Sequence, residues 1–166
     1  MSKVVVLEKA KSESTASGKD DSVAEFSTFI QALSTDFADA RDLKSISPIS
    51  LAYIGDAVFE LYVRSQLLRP AKRIRDYHQQ VVTQVNAEQQ ARYVALLLPH
   101  LTEPEKDFLR RGRNATTGRN RRASGQDYQK ATGFEALLGS LYLSDQPRLF
   151  NLLAKLPIIS QEDINR

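Results

Sequence analysis

Two long apolar stretches each carry a glycine and an acid at helical spacing. One is "LAYIGDAVFELYVR" (51–64) and the other is "ATGFEALLGSLYL" (131–143). Gly55 directly precedes Asp56, and Gly139 lies one turn after Glu135. A glycine inside a helix costs about 1 kcal/mol relative to alanine. A helix tolerates that cost where another backbone must approach closely. The two stretches are therefore expected to cross near their glycines, which would bring Asp56 and Glu135 together. Paired carboxylates repel unless a cation lies between them. A hard divalent ion such as Mg²⁺ binds through one or two carboxylates and completes its shell with water. The plainer reading of a helix acid is a solvated or salt-bridged one. Glu60 fits that reading, with Arg64 four residues further on.

The rest of the chain divides into helices by its caps and prolines. Ser47 before Pro48 signals a helix start, and Pro70 ends that helix after about Leu68. Leu51, Ile54, Val58, Leu61 and Tyr62 recur within it at helical spacing. "NAEQ" (86–89) reads as a capping box, so helices are predicted near 73–85 and 87–98. "TEPE" (102–105) is a second box, opening a helix to about Arg111. Residues 112–125 hold three glycines and no large apolar side chain, which reads as a loop. Helical patterning returns from Asp127 to Leu143, and Asp145 with Pro147 starts a last helix. No useful alternating strand pattern occurs, so the fold class is all-α. Residues 1–44 are expected to be an N-terminal extension, largely flexible, with a short helix over Val23–Phe37. A single domain over 45–160 and a tail at 161–166 complete the chain.

The net charge of +3 conceals an uneven distribution. Residues 106–130 hold eight basic side chains against two acidic ones. From Arg110 to Arg122 there are six arginines, no lysine and no acid. Arginine offers a planar fork that matches phosphate oxygens. Like charges packed this densely repel without a partner, so phosphate binding is favoured over a merely solvated loop. Arg111, Arg113, Arg119, Arg121 and Arg122, with Asn114 and Asn120, are the candidates for contact with nucleic acid. No P-loop pattern is present. His78 and His100 have no partner at ligand spacing. The absence of cysteine excludes disulfides and thiolate metal sites. No membrane association is expected, because no apolar run approaches the roughly 20 residues a spanning helix needs.

"LAYIGDAVFELYVR", "VNAEQQA", "RRGRNA" and "ATGFEALLGSLYL", in that order, resemble the Mini-ribonuclease III family. These are short relatives of ribonuclease III that keep the endonuclease domain and lack the double-stranded RNA-binding domain. The resemblance covers about Ser47 to Leu156. It implies the all-helical ribonuclease III endonuclease fold, a homodimer, and hydrolysis of double-stranded RNA that leaves 5′-phosphates. It also implies Mg²⁺ as cofactor, with Mn²⁺ as a substitute. The implied substrate is precursor large-subunit (23S) ribosomal RNA, and the implied location is the cytoplasm.

By position, the catalytic and metal-holding pair falls on Asp56 and Glu135, and the dimer-contact aromatic falls on Tyr53. Larger relatives carry a glutamate four residues before the signature aspartate, where this chain has Ala52. They carry an aspartate three residues before the late glutamate, where it has Thr132. These departures leave fewer carboxylate ligands. They also keep an alternative open: a non-catalytic RNA-binding or ribosome-assembly module on the same fold. Asp56 with Glu135 argues against that alternative, since a pure polyanion binder has no use for two acids beside its ligand.

Overall fold

The computed structural model describes residues 40–115 and 123–158. The expected helix at Val23–Phe37 and the expected tail at 161–166 lie outside the described residues. Seven α-helices are present among the described residues: α1 (Ala40–Ser45), α2 (Pro48–Leu67), α3 (Ile74–Val85), α4 (Ala87–Leu97), α5 (Glu103–Ala115), α6 (Ala123–Ser144) and α7 (Gln146–Leu153). A single 3₁₀ turn, Leu98–His100, follows α4. The described residues contain no strand, and the fold is all-α.

The caps explain where most of these helices begin. Asn86 serves two of them. Its Oδ1 accepts from the Gln89 N–H at 2.9 Å, and its Nδ2 donates to the Val82 and Thr83 carbonyls that end α3. Gln89 does not reach back as a capping box requires; its Oε1 accepts from Arg92 Nη1 at 3.4 Å. Glu105 Oε2 accepts from the Thr102 N–H at 2.7 Å, and the same carboxylate takes two bonds from Arg148. Asp145 Oδ1 accepts from the Arg148 N–H at 2.9 Å and starts α7. Ser47 behaves differently from the expectation. Its side chain makes no capping bond, and Pro48 alone suits the first turn, where its missing N–H leaves no donor unpaired.

Helix α6 lies at the centre and packs against α2, α4, α5 and α7. From Ala131 to Leu141 it is buried on nearly every side, and its residues there are almost all apolar or small, whereas its first turns are polar and partly exposed. Phe134 on α6 meets Phe59 on α2 edge to face, with ring centroids 5.0 Å apart. Tyr93 on α4 meets Phe59 at 5.9 Å, and all three rings are fully buried. The Tyr93 hydroxyl donates to Gln84 Oε1, so the one polar atom of this cluster is paired. The inward stripe of α2 is Leu51, Ala52, Gly55, Phe59, Val63 and Leu67. The sequence pattern had placed Leu61 in that stripe; it stands on the outside, because the helix turns its small residues toward α6.

That choice follows from two glycines. A Cβ at Gly55 would lie 1.8 Å from the Glu135 carbonyl oxygen, and one at Gly139 would lie 2.0 Å from the Leu51 carbonyl oxygen. Each helix thus leaves room for the other's backbone. Gly112 does the same for α5, where a Cβ would come within 2.8 Å of the Thr132 carbonyl oxygen. Gly112, where a loop is predicted to begin, is therefore still helical. Residues 112–115 are helical, with Gly112 packed on α6, and residues 123–125 already belong to α6.

A second buried cluster joins Leu43 of α1 to Leu51, Ala52, Phe108 and Ala136. Helix α1 is thus part of the packed core, although the composition of 1–44 had suggested an extension. Replacing Gly139 with alanine is expected to destabilise the protein by about 3 kcal/mol, because the clash is with backbone rather than with a yielding side chain. Urea unfolding of Gly139→Ala beside the exposed control Ser50→Ala measures this.

Candidate active site

The glycine crossing places the two acids. Gly55 abuts the backbone of Glu135 itself, so the residue after Gly55 and the side chain of Glu135 belong to one neighbourhood. Asp56 is exposed, whereas Glu135 is half-buried in the packed face of α6. Burial pushes the Glu135 carboxyl up from its ordinary 4.5 to about 7, and the negative charge of Asp56 adds to that rise. A hydrogen bond from the Gln90 side chain works in the opposite direction. Asp56 is also raised, first by burial and then by the charge of Glu60. Glu60 pairs with Arg64 at 2.5 Å, as the i, i+4 spacing predicts.

The charges acting on the pair are thus negative: Asp56 on Glu135, and Glu60 on Asp56. Hard oxygen donors that repel one another, one of them open to solvent, fit a divalent cation. Among the described residues no group of three or more His, Cys, Asp or Glu converges. The two positions where larger relatives carry further acids are used for packing. Ala52 is 4% exposed in the second cluster, and Thr132, equally buried, donates its hydroxyl to the Tyr128 carbonyl at 3.1 Å. The site is therefore a two-carboxylate one, and water would have to supply most of an ion's shell.

The remaining candidates fall in different places. Arg111 turns back on the protein: its guanidinium donates to the Lys44 carbonyl at 2.9 Å and the Ile46 carbonyl at 3.4 Å, and lies over the Phe108 ring. It ties the end of α1 to α5. Arg113 and Asn114 are exposed in the last turn of α5. A Cβ at Gly133 would lie 3.5 Å from that of Arg113, so the end of α5 runs beside α6 two residues before Glu135. Arg119, Asn120, Arg121 and Arg122 lie outside the described residues. Tyr53 is 83% exposed on the outer face of α2. His78 and His100 are both exposed.

Gln90 is not among the expected site residues: "NAEQ" reads as a helix start, and "VNAEQQA" enters only as one block of the family resemblance. The signal was present: Gln90, Val94 and Leu97 repeat at i, i+4, i+7, which puts an amide in a core position.

A helical domain built on two glycine crossings, with an acid at each partner of the central one, defines the class. Residues 49–146 match the ribonuclease III domain. Over 117 residues the chain is 59% identical to Mini-ribonuclease 3 of Synechocystis sp., covering 70% of this chain and 82% of that protein. It is 51% identical to the Mini-ribonuclease 3 of Synechococcus sp., covering 69% and 83%. Against that of Clostridium tetani the figures are 35%, 74% and 83%. A crystal structure of a Fusobacterium nucleatum protein superposes with a TM-score of 0.58 at 28% identity, over 69% of this chain and 96% of that one. The chain belongs to the Mini-ribonuclease 3 family, and it is an endoribonuclease of the ribonuclease III class.

The raised Glu135 carboxyl has a consequence for stability. The folded state holds this proton between about pH 4.5 and 7, where the unfolded chain has lost it. Stability of the metal-free protein therefore falls as pH rises through that window and levels off above it. Glu135→Gln, with no proton to lose, is expected to flatten the fall. Thermal unfolding from pH 4.5 to 8 in chelator measures the difference.

Proposed function

We propose that this chain is a Mg²⁺-dependent endoribonuclease of double-stranded RNA, acting on precursor large-subunit (23S) ribosomal RNA in the cytoplasm. The observation that carries this reading is the carboxylate pair at the Gly55–Gly139 crossing, both raised by burial, with the charge of Asp56 adding to the rise at Glu135. Asp56 and Glu135 are the residues that would hold the ion, with Mn²⁺ an alternative occupant. When bound, a divalent cation neutralises charge on the scissile phosphate and acidifies the attacking water.

The chain's own contribution is placement. The glycine crossing fixes the backbone beneath both carboxylates. Arg113, Asn114, Arg119, Asn120, Arg121 and Arg122 grip phosphates of the substrate on this reading. Arg111, engaged with the Lys44 and Ile46 carbonyls, serves the same segment by anchoring the base of α5. An A-form duplex offers a wide minor groove with its 2′-hydroxyls, so recognition is mainly of shape. A homodimer presents two such sites to one duplex. Support for the dimer comes from Tyr53 and Ile49, four residues apart on α2 and respectively 83% and 47% exposed. Large apolar side chains grouped on one exposed stripe are characteristic of an interface.

Asp56→Asn preserves shape and removes one charge. It is expected to slow cleavage of a structured precursor RNA in Mg²⁺ by about 100-fold or more, the usual cost of losing one charge-stabilising group. Cleavage at the wild-type rate would refute the assignment. Neutralising Arg113, Arg121 and Arg122 together should flatten the salt dependence of RNA binding by about 0.9 log units per lost phosphate contact, taking the duplex value. An unchanged slope would remove these arginines from the RNA surface. Light scattering should give a dimeric mass for the wild type and a monomer for Tyr53→Asp; a monomeric wild type would end the two-site arrangement.

A further inference from the structure

Tyr128 lies two turns before Glu135 on α6 and is 60% exposed. Seven residues carry an α-helix through nearly two full turns, so both side chains leave the same face, about 10 Å apart along the axis. Ala131 and Thr132 occupy that face between them, and both are small and buried. No large side chain of α6 therefore stands between Tyr128 and the acid. Among the described residues Tyr128 is the one large apolar side chain of α6 left exposed. Its carbonyl accepts from the Thr132 hydroxyl, but its own hydroxyl has no partner among the described residues. Asp127 and Lys130, on either side of it in the chain, pair with each other at 3.6 Å, so the surface beside the ring carries no net charge.

On the reading of this chain as a nuclease of duplex RNA, the cut phosphate lies at Asp56 and Glu135. The arginine run ends at Arg122, six residues before Tyr128 in the chain. Arginines match phosphates, and a neutral ring ending in a hydroxyl matches what lies between phosphates. That part of the strand is the ribose, with apolar C–H faces and a 2′-hydroxyl that both donates and accepts. A phenol hydroxyl also donates and accepts. We propose that Tyr128 is a substrate-contacting residue: its ring seats a ribose of the strand beside the cut, and its hydroxyl bonds the 2′-hydroxyl of that sugar. The inference rests on the RNA-cleaving site proposed above and adds a source of specificity to it. Arginines meet the same phosphates on RNA and on DNA, whereas a contact to the 2′-hydroxyl tells the two apart.

The test is steady-state cleavage of a stem-loop precursor RNA by the full chain in Mg²⁺. Tyr128→Phe keeps the ring and removes the hydroxyl. It is expected to raise KM about fivefold, the worth of one hydrogen bond, and to leave kcat within about twofold of the wild type. Tyr128→Ala, which removes the ring as well, should raise KM further. Both variants should keep the wild-type unfolding temperature, because the side chain is exposed. Single 2′-deoxy nucleotides are then placed one at a time through the helical turn around the cut. At one position the change should raise KM about fivefold for the wild type and leave Tyr128→Phe unaffected. If Tyr128→Phe has the KM of the wild type, or if 2′-deoxy effects are the same in both proteins at every position, the ribose contact is wrong and the RNA-cleaving reading stands. If the wild type leaves the stem-loop uncut in both Mg²⁺ and Mn²⁺, that reading fails and the role of Tyr128 falls with it.

Discussion

Everything in this domain depends on two helices that touch backbone to backbone. Where α2 and α6 cross, Gly55 faces the Glu135 carbonyl and Gly139 faces the Leu51 carbonyl, each too close for any side chain. Ala52 and Ala136 extend the small-residue contact on the same side. This close approach sets the spacing for the Phe59–Phe134–Tyr93 cluster, which fills the wider gap further along the helices. It also decides that Asp56, next to Gly55, and Glu135, against which Gly55 rests, share one neighbourhood. Core and site are consequences of the same contact.

The site itself is sparing in ligands. Larger members of this class are expected to have four acids here, and this chain has two. The structure gives the other two positions to other tasks: Ala52 to the cluster with Leu43 and Phe108, and Thr132 to a bond with the Tyr128 carbonyl. A carboxylate at either position would be buried, and burying a charge without a partner is costly. The reduced ligand set is thus tied to the packing of α1 and α5 against the α2–α6 pair. On the proposed metal reading, two carboxylates leave most of an ion's shell to water.

The arginines illustrate how one sequence feature divides in three dimensions. In the sequence, Arg110 to Arg122 forms a single basic run. In the structure its first residues are helical: Arg110 pairs with Asp107, and Arg111 is committed to the backbone at the end of α1. Arg113 is the first member of the proposed phosphate-binding set that stands exposed beside α6. A glycine that read as loop, Gly112, marks a second close crossing, of α5 with α6. The sequence signals for loop and for tight helix packing are the same residue, and only the neighbouring helix tells them apart.

Much was legible in advance. Capping residues and prolines placed the helices to within a few residues, because those signals are local. Asn86, Glu105 and Asp145 act through bonds to N–H groups three residues away or fewer. The pairing of glycine with acid in two apolar helices was legible for a related reason: a glycine in a helix interior is explained by close approach and by little else. Which face of α2 turns inward and the depth of Glu135 beside the shallower Asp56 were decided by tertiary structure alone. Each depends on contacts between helices far apart in the chain, and no periodicity along one helix carries that information. The sequence by itself determined that two acids would be carried on crossing helices. The packing of the other helices around α6 decided that one of those acids would be half-buried.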